Sequence, residues 1–186
     1  MSTRICYFDC ASGASGDMLL GALVDLGLPL EALRDELAKL SLGGYSLESH
    51  RVHRSGLHAT KVDVLIEGQA SRHEHGHDHG HDHSHDHSHD HSHDHGHSHD
   101  AAGQPQRGVV EITELVNRSA LDAEVKARAT ALFWRLAEAE ASVHGTTPDR
   151  VHFHEVGAVD SIVDVVGGVV GLRWLRADRF VSSPLN

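Results

Sequence analysis

A histidine stands at every second position from His73 to His99, and this run holds fourteen of the chain's twenty histidines. Neutral imidazole binds Zn, Ni, Cu and Fe ions without needing cysteine. The ligand candidates are His75, His77, His79, His81, His83, His85, His87, His89, His91 and His93. The interleaved Asp78, Asp82, Asp86, Asp90 and Asp94 would offset the charge of a bound dication. Such a run offers many overlapping coordination sets. That redundancy suits capture, whereas a reactive metal needs one sphere fixed by its surroundings. The run therefore reads as a store or delivery arm, or as a low-complexity expansion that binds metal without biological need. The divalent affinity order does not single out its metal.

Two further groups of residues have chemical potential. Asp9 precedes Ser12, Gly13, Ser15, Gly16 and Asp17 in the segment DCASGASGD. A glycine-containing loop that opens a helix presents backbone N–H groups and a positive dipole end, which favour a phosphate or carboxylate. Asp9 beside it is a candidate for holding a hydrated Mg2+ or accepting a proton. No lysine follows the second glycine, so this is not a Walker loop. The plain alternative is a glycine turn with Asp17 as a first-turn acid. The second group is His152, His154, Glu155, Asp160 and Asp164. On an extended segment His152 and His154 share a face, and Asp160 and Asp164 share a helical face. Imidazoles beside carboxylates can ligate a metal or act as a base with its orienting partner. Asp164 stands among valines, where a carboxylate is costly unless paired or metal-bound. The alternative is that Asp160 caps its helix and Asp164 binds backbone or an arginine. His50, His53 and His58 read as surface residues.

These groups need elements to place them. Residues 4–10 are rich in β-formers and predict a strand running into the glycine loop. Ser15 is the expected cap of a helix carrying Met18, Leu19, Ala22, Leu23 and Leu26, which Gly27 ends. Leu30, Leu33, Leu37 and Leu40 predict a second helix from Pro29. From Tyr45 the period shifts towards two, and Arg54-Ser55-Gly56 marks the turn of a hairpin. That hairpin carries the His-rich excursion, expected to be a solvated, disordered insertion at 71–104 because it has no apolar face to bury. Helices follow over Val109–Arg118 and Asp122–Val143, the longer one showing Val125, Ala129, Leu132, Phe133 and Leu136 on one face. Ser119 and Asp122 resemble a weak capping box. A buried helix is predicted from Ser161 onward, and a last strand over Arg179–Ser182. The simplest layer solution is an α/β fold of the α+β type, a mixed sheet with helices packed on it.

Composition narrows the classes. The chain has 186 residues and a formal net charge of -11, with no basic cluster, which argues against nucleic-acid and membrane-surface partners. No secretory signal or bilayer-length apolar span is present, so a cytoplasmic protein is expected. Cys6 and Cys10 lie too far apart on a strand to pair, and no Cys-x-x-Cys zinc site exists.

YFDCASGASGDMLLGALVDLG at 7–27 and VHFHEVGAVDSIVDVVG at 151–167, with a His-rich insertion between them, resemble the N-terminal half of the LarC nickel-insertion proteins. The resemblance spans essentially the whole chain, so residues 1–186 would form one N-terminal domain. It implies a lyase-type metal chelatase that inserts Ni2+ into pyridinium-3,5-bisthiocarboxylic acid mononucleotide. This cyclometallation forms two Ni–S bonds and one Ni–C bond, hydrolyses CTP and requires Mg2+ or Mn2+. It is the last step in making the nickel-pincer cofactor of lactate racemase-type enzymes. The implied partners are the nickel-free precursor, a C-terminal half that binds CTP and is absent from this chain, and the recipient racemase apoenzyme, with a homo-oligomer at full length. In that chemistry Glu155, His154 and Asp160 are the catalytic candidates, with Glu155 or His154 as the base. Ser12, Gly13, Ser15, Gly16 and Asp17 would hold phosphate, and Asp9, Asp160, Asp164 and His152 would bind metal. The rival reading is a nickel or zinc storage protein or metallochaperone acting through the His-rich run.

Overall fold

A computed structural model describes residues 3–11, 13–54, 56–68, 107–153 and 157–184. The His-rich insertion lies outside the described residues. Strand β1 (Ile5–Phe8) feeds the glycine loop and helix α1 (Gly16–Asp25), and α2 (Leu30–Ala38) follows after Gly27. Gly27 has φ +104°, the left-handed backbone expected of the residue that ends α1. The anticipated stripe is buried at Leu33 and Leu37 of α2 and at Leu40 just past its end.

Strands β2 (Tyr45–Arg54) and β3 (Leu57–Ile66) form the hairpin, paired from Tyr45↔Ile66 to Arg54↔Leu57. Leu47 and Val62 turn one of its faces into the core. Helices α3 (Val109–Arg118) and α4 (Ala123–His144) come next, then a short 3-10 turn at Pro148–Arg150, α5 (Val159–Leu175) and β4 (Arg179–Ser182). β1 and β4 pair in parallel, with Ile5 opposite Arg179 and Phe8 opposite Ser182. The parallel and antiparallel pairings of the expected α/β fold are thus both present, as two separate two-stranded ladders among the described residues.

Helix α5 is the hub. It touches α1, α2, α4 and β3, and its Ile162, Val163 and Val166 are fully buried. Apolar residues face nearly all round it because neighbours lie on several sides. Two local expectations need correction. The packing face of α4 is Val125, Ala129, Phe133, Ala137 and Ala141, whereas Leu132 and Leu136 are 47% and 39% exposed. Alanine lets the neighbouring helices come close, so the small residues of α4 rather than these leucines face the core. Ser119 is not part of a capping box with Asp122: its hydroxyl donates to the Val116 carbonyl and closes α3.

Asp122 itself is the N-cap of α4, accepting the Glu124 N–H at 2.8 Å, and it also pairs with Arg173 of α5 at 3.0 Å. Asp122→Ala removes a cap and an exposed ion pair. We expect a loss of about 1 kcal/mol, most of it from the cap, read as a lower urea midpoint with an unchanged slope.

Candidate functional site

Helices α1 and α5 lie side by side and run in the same direction. Gly16 meets Asp164, Leu20 meets Gly167, Leu23 meets Gly171, and Gly27 faces Trp174, so sequence rises together along both helices. The glycines of α5 give α1 its close approach: a Cβ on Gly167 would lie 3.1 Å from Leu20 and one on Gly168 3.0 Å from Leu19. Parallel packing puts both helix N-termini at one end, and two positive dipole ends converge there.

Three carboxylates answer them. Asp17 is in the first turn of α1, Asp160 in the first turn of α5, and Asp164 one turn further along the same face. The Asp164 side chain is pressed against Gly16, where a Cβ would sit 2.5 Å from its Oδ2. Its Oδ1 is buried and makes no hydrogen bond. Burial pushes the Asp164 carboxyl up to about 7, and the negative charges of Asp17 and Asp160 push the same way. A carboxyl titrating near neutrality can give or take a proton at physiological pH. Valine context foretold the burial of Asp164. Among the described residues its Oδ1 meets neither the arginine nor the backbone group of the plain alternative, and the charges that act on it are those of two other acids.

Other expected site residues are placed less tightly. Helix α5 starts at Val159 with Ala158 as its cap, so Asp160 lies inside the helix instead of capping it; its Oδ1 accepts the Ser161 N–H at 2.8 Å. Asp17 accepts from the Ser15 hydroxyl and from the Met18 N–H at 2.9 Å. A phosphate at this loop would have to displace that carboxylate and tolerate Asp160 and Asp164. Gly13 has φ +85° and closes the turn by donating to the Cys10 carbonyl at 3.0 Å. Asp9 is exposed and accepts the Ala11 N–H at 3.2 Å. His152 is exposed and sits opposite Gly108 in an isolated bridge. Ser12, His154 and Glu155 lie outside the described residues, as do His75, His77, His79, His81, His83, His85, His87, His89, His91 and His93. Among the described residues no three of His, Cys, Asp or Glu are gathered closely enough to hold a metal ion. Asp9 and His152 are therefore not brought into one ligand set with Asp160 and Asp164.

What the sequence reading missed is Asp17 as an electrostatic partner of Asp164, and Gly16 as the surface on which Asp164 rests. The available signal was the glycine at the start of α1 and the Gly167-Gly168-x-x-Gly171 spacing in α5, which together mark a close helix contact. A groove of about 890 Å3 lies at the other end of α5, lined by Leu28, Glu36, Arg128, Trp174 and Phe180 among others. Its Arg128 and Arg173 are already paired with Glu124, which blunts it as an anion site. No helix among the described residues is long and apolar enough to cross a membrane.

Comparison with known proteins bears on this arrangement. Over 182 residues the chain is 41% identical to "Putative nickel insertion protein" of Geobacter sp. (strain M21), covering 98% of this chain and 39% of that protein. It is 46% identical over 183 residues to a protein of the same name from Thermomicrobium roseum, covering 98% and 37%. It is 43% identical over 183 residues to "Pyridinium-3,5-bisthiocarboxylic acid mononucleotide nickel insertion protein" of Geobacillus kaustophilus, covering 98% and 38%. The chain thus spans about two fifths of the length of these curated relatives. No solved structure matches it. The family model described as "Nickel insertion protein" matches residues 6–186, and the chain belongs to that family.

Proposed function

We propose that this chain is the part of a nickel chelatase that presents the acidic end of α1 and α5 to a nickel-free pincer nucleotide, pyridinium-3,5-bisthiocarboxylic acid mononucleotide. The observation that carries the reading is Asp164, half-buried, with an orphaned Oδ1 and a carboxyl raised to about 7 beside Asp17 and Asp160. A relative named for nickel insertion into that nucleotide supports the choice of substrate. Of the two arriving species Ni2+ is the cation these carboxylates attract; the nucleotide carries thiocarboxylates and a phosphate, so its approach depends on the charge that the metal brings. A pincer substrate brings two sulfur donors of its own, so nickel needs few protein ligands. We assign Asp160 to the incoming ion, with Asp9 and His152 as outer candidates that a closure would have to bring in, and keep Asp164 for the proton.

Forming a nickel–carbon bond requires a ring C–H to lose its proton. Asp164 is suited to receive it, because burial and its acidic neighbours raise its proton affinity while leaving it partly ionised at neutral pH. Glu155 and His154, just upstream of α5, share the proposal as alternative bases, with Asp160 as the group that orients the ring. Mg2+ or Mn2+, which would neutralise CTP phosphates, goes with CTP and not with Asp17, Asp160 and Asp164, which are not gathered into a three-ligand set. We place CTP mainly on the remainder of the protein, because Asp17 already takes the first-turn amide of Met18 that a phosphate would use. The His-rich run is then a feeder of nickel, and the product serves a lactate racemase-type enzyme in the cytoplasm.

The test is mass-spectrometric detection of nickel in the nucleotide with Ni2+, Mg2+ and CTP, with and without the remainder of the family's length, and with and without residues 71–104. Incorporation that needs the remainder but, at ample nickel, not the run supports the reading. Tight nickel binding with no incorporation under any condition would replace it with storage through the His-rich run.

A further inference from the structure

The hairpin carries a pair of imidazoles that neither the acidic end nor the His-rich run includes. We propose that His53 and His58 form a two-nitrogen site for a borderline divalent transition ion, built across β2 and β3. They are directly opposed in the antiparallel register, and their ring centroids are 4.5 Å apart with the planes tilted by 37°. Both side chains are exposed, so an ion can reach the pair without opening the fold. Directly opposite residues of an antiparallel ladder keep their Cβ atoms within about 5.5 Å, which lets both rings turn a nitrogen towards one ion.

The pair is also held firmly. One step inward on the same face are Arg51 and Thr60, and both are tied to Asp25 at the end of α1. Asp25 accepts the Thr60 N–H at 2.9 Å and the Thr60 hydroxyl at 2.6 Å, and it pairs with Arg51. The strand backbones under His53 and His58 are thereby fixed before any metal arrives. Binding then costs mainly the rotation of two short side chains. Imidazole nitrogens suit Ni2+, Cu2+ and Zn2+ and are poor ligands for Mg2+. Among the described residues no third ligand completes a closed set, so water or a ligand from elsewhere fills the remaining positions. An open two-point site exchanges its ion readily, which fits a transfer station better than a store.

His50 is the internal control. It lies on the opposite face of β2, with its Nδ1 3.2 Å from Asp63. The experiment is NMR of the isotope-labelled full chain, following the ring C–H signals of His50, His53 and His58 as Ni2+ is added beyond the capacity of the His-rich run. We expect the His53 and His58 signals to broaden together while His50 does not follow them. His58→Gln should weaken binding at His53 roughly hundredfold, the lower range of what tying two weak binding events together provides. His50→Gln should change nothing. Rings of His53 and His58 that stay sharp throughout, or an affinity at His53 that is the same with and without His58, would overturn the chelate. The outcome is independent of nickel insertion, because neither His50 nor His58 belongs to the acidic end of α1 and α5.

Discussion

Asp164→Asn should stabilise the folded chain above neutral pH and sharply slow nickel insertion in the same protein. The carboxyl titrates at about 7 in the folded state and at 3.8 when exposed. Between these values the folded state holds a proton that the unfolded chain has released. The stability that proton contributes is complete below pH 4, falls as pH rises through 7, and is gone above it. Three pKa units correspond to about 4 kcal/mol, and solvent screening of this half-buried group reduces the usable figure to about 2 kcal/mol. Asparagine has nearly the same shape and no charge at any pH. The variant should therefore match the parent at pH 4 and exceed it at pH 8.5, by about 4–8 °C in Tm for a domain of this size. Insertion, measured with the remainder of the protein supplied, should fall by about 100-fold or more, the usual worth of a positioned acid or base. Equal Tm values at pH 8.5 would place the Asp164 carboxyl in an environment no different from water. Unchanged insertion would remove it from the chemistry and return the proton to His154 or Glu155.

Much of this architecture was legible because most elements bury only one side. Leu33 and Leu37 in α2 with Leu40 just past it, and the alternation around Val62 in β3, each mark a single face against the core. The reading weakened wherever small residues made the contact. In α4 the sequence placed Val125, Ala129 and Phe133 on the buried face correctly but added Leu132 and Leu136, where Ala137 and Ala141 continue it, because a close helix contact selects for absence of bulk. The same physics hid the pairing of α1 with α5. Nothing local to Gly16 indicates that a segment nearly 150 positions later will lie against it, since that pairing is decided by the whole core. The burial of Asp164 was readable from its valine neighbours, as a local property. Its company, Asp17 and Asp160, was not, because it depends on the parallel sense of two helices distant in sequence. The phosphate expectation at the glycine loop was drawn from α1 alone, whereas acids from both helices meet at the same end.

Replacing Gly16 by alanine should cost about 2 kcal/mol, and nearly all of that cost should vanish when Asp164 is glycine. A Cβ at position 16 would lie 2.5 Å from the Cβ of Asp164, 2.5 Å from its Oδ2 and 2.7 Å from its Cγ. The first of these atoms is fixed to the backbone of α5, so rotating the side chain cannot relieve the contact. The helices must separate, and an overpacked contact of this kind costs about 1–3 kcal/mol. Alanine's better helix propensity offsets less than 1 kcal/mol, since position 16 is only the first residue of α1. With glycine at position 164 all three contacts disappear. The double-mutant cycle should then give a coupling of about 1–2 kcal/mol by urea unfolding. Gly13→Ala serves as the contrast. Nothing lies within 4 Å of a Cβ there, but the backbone has φ +85°, so its cost of roughly 1–2 kcal/mol is local strain. That cost should be the same whether residue 164 is aspartate or glycine. If Gly16→Ala were as indifferent to residue 164 as Gly13→Ala, the two helices would not meet through this pair. The carboxyl of Asp164 would then owe its raised proton affinity to something other than its position against α1, and the acidic end would lose its place as the site of proton transfer.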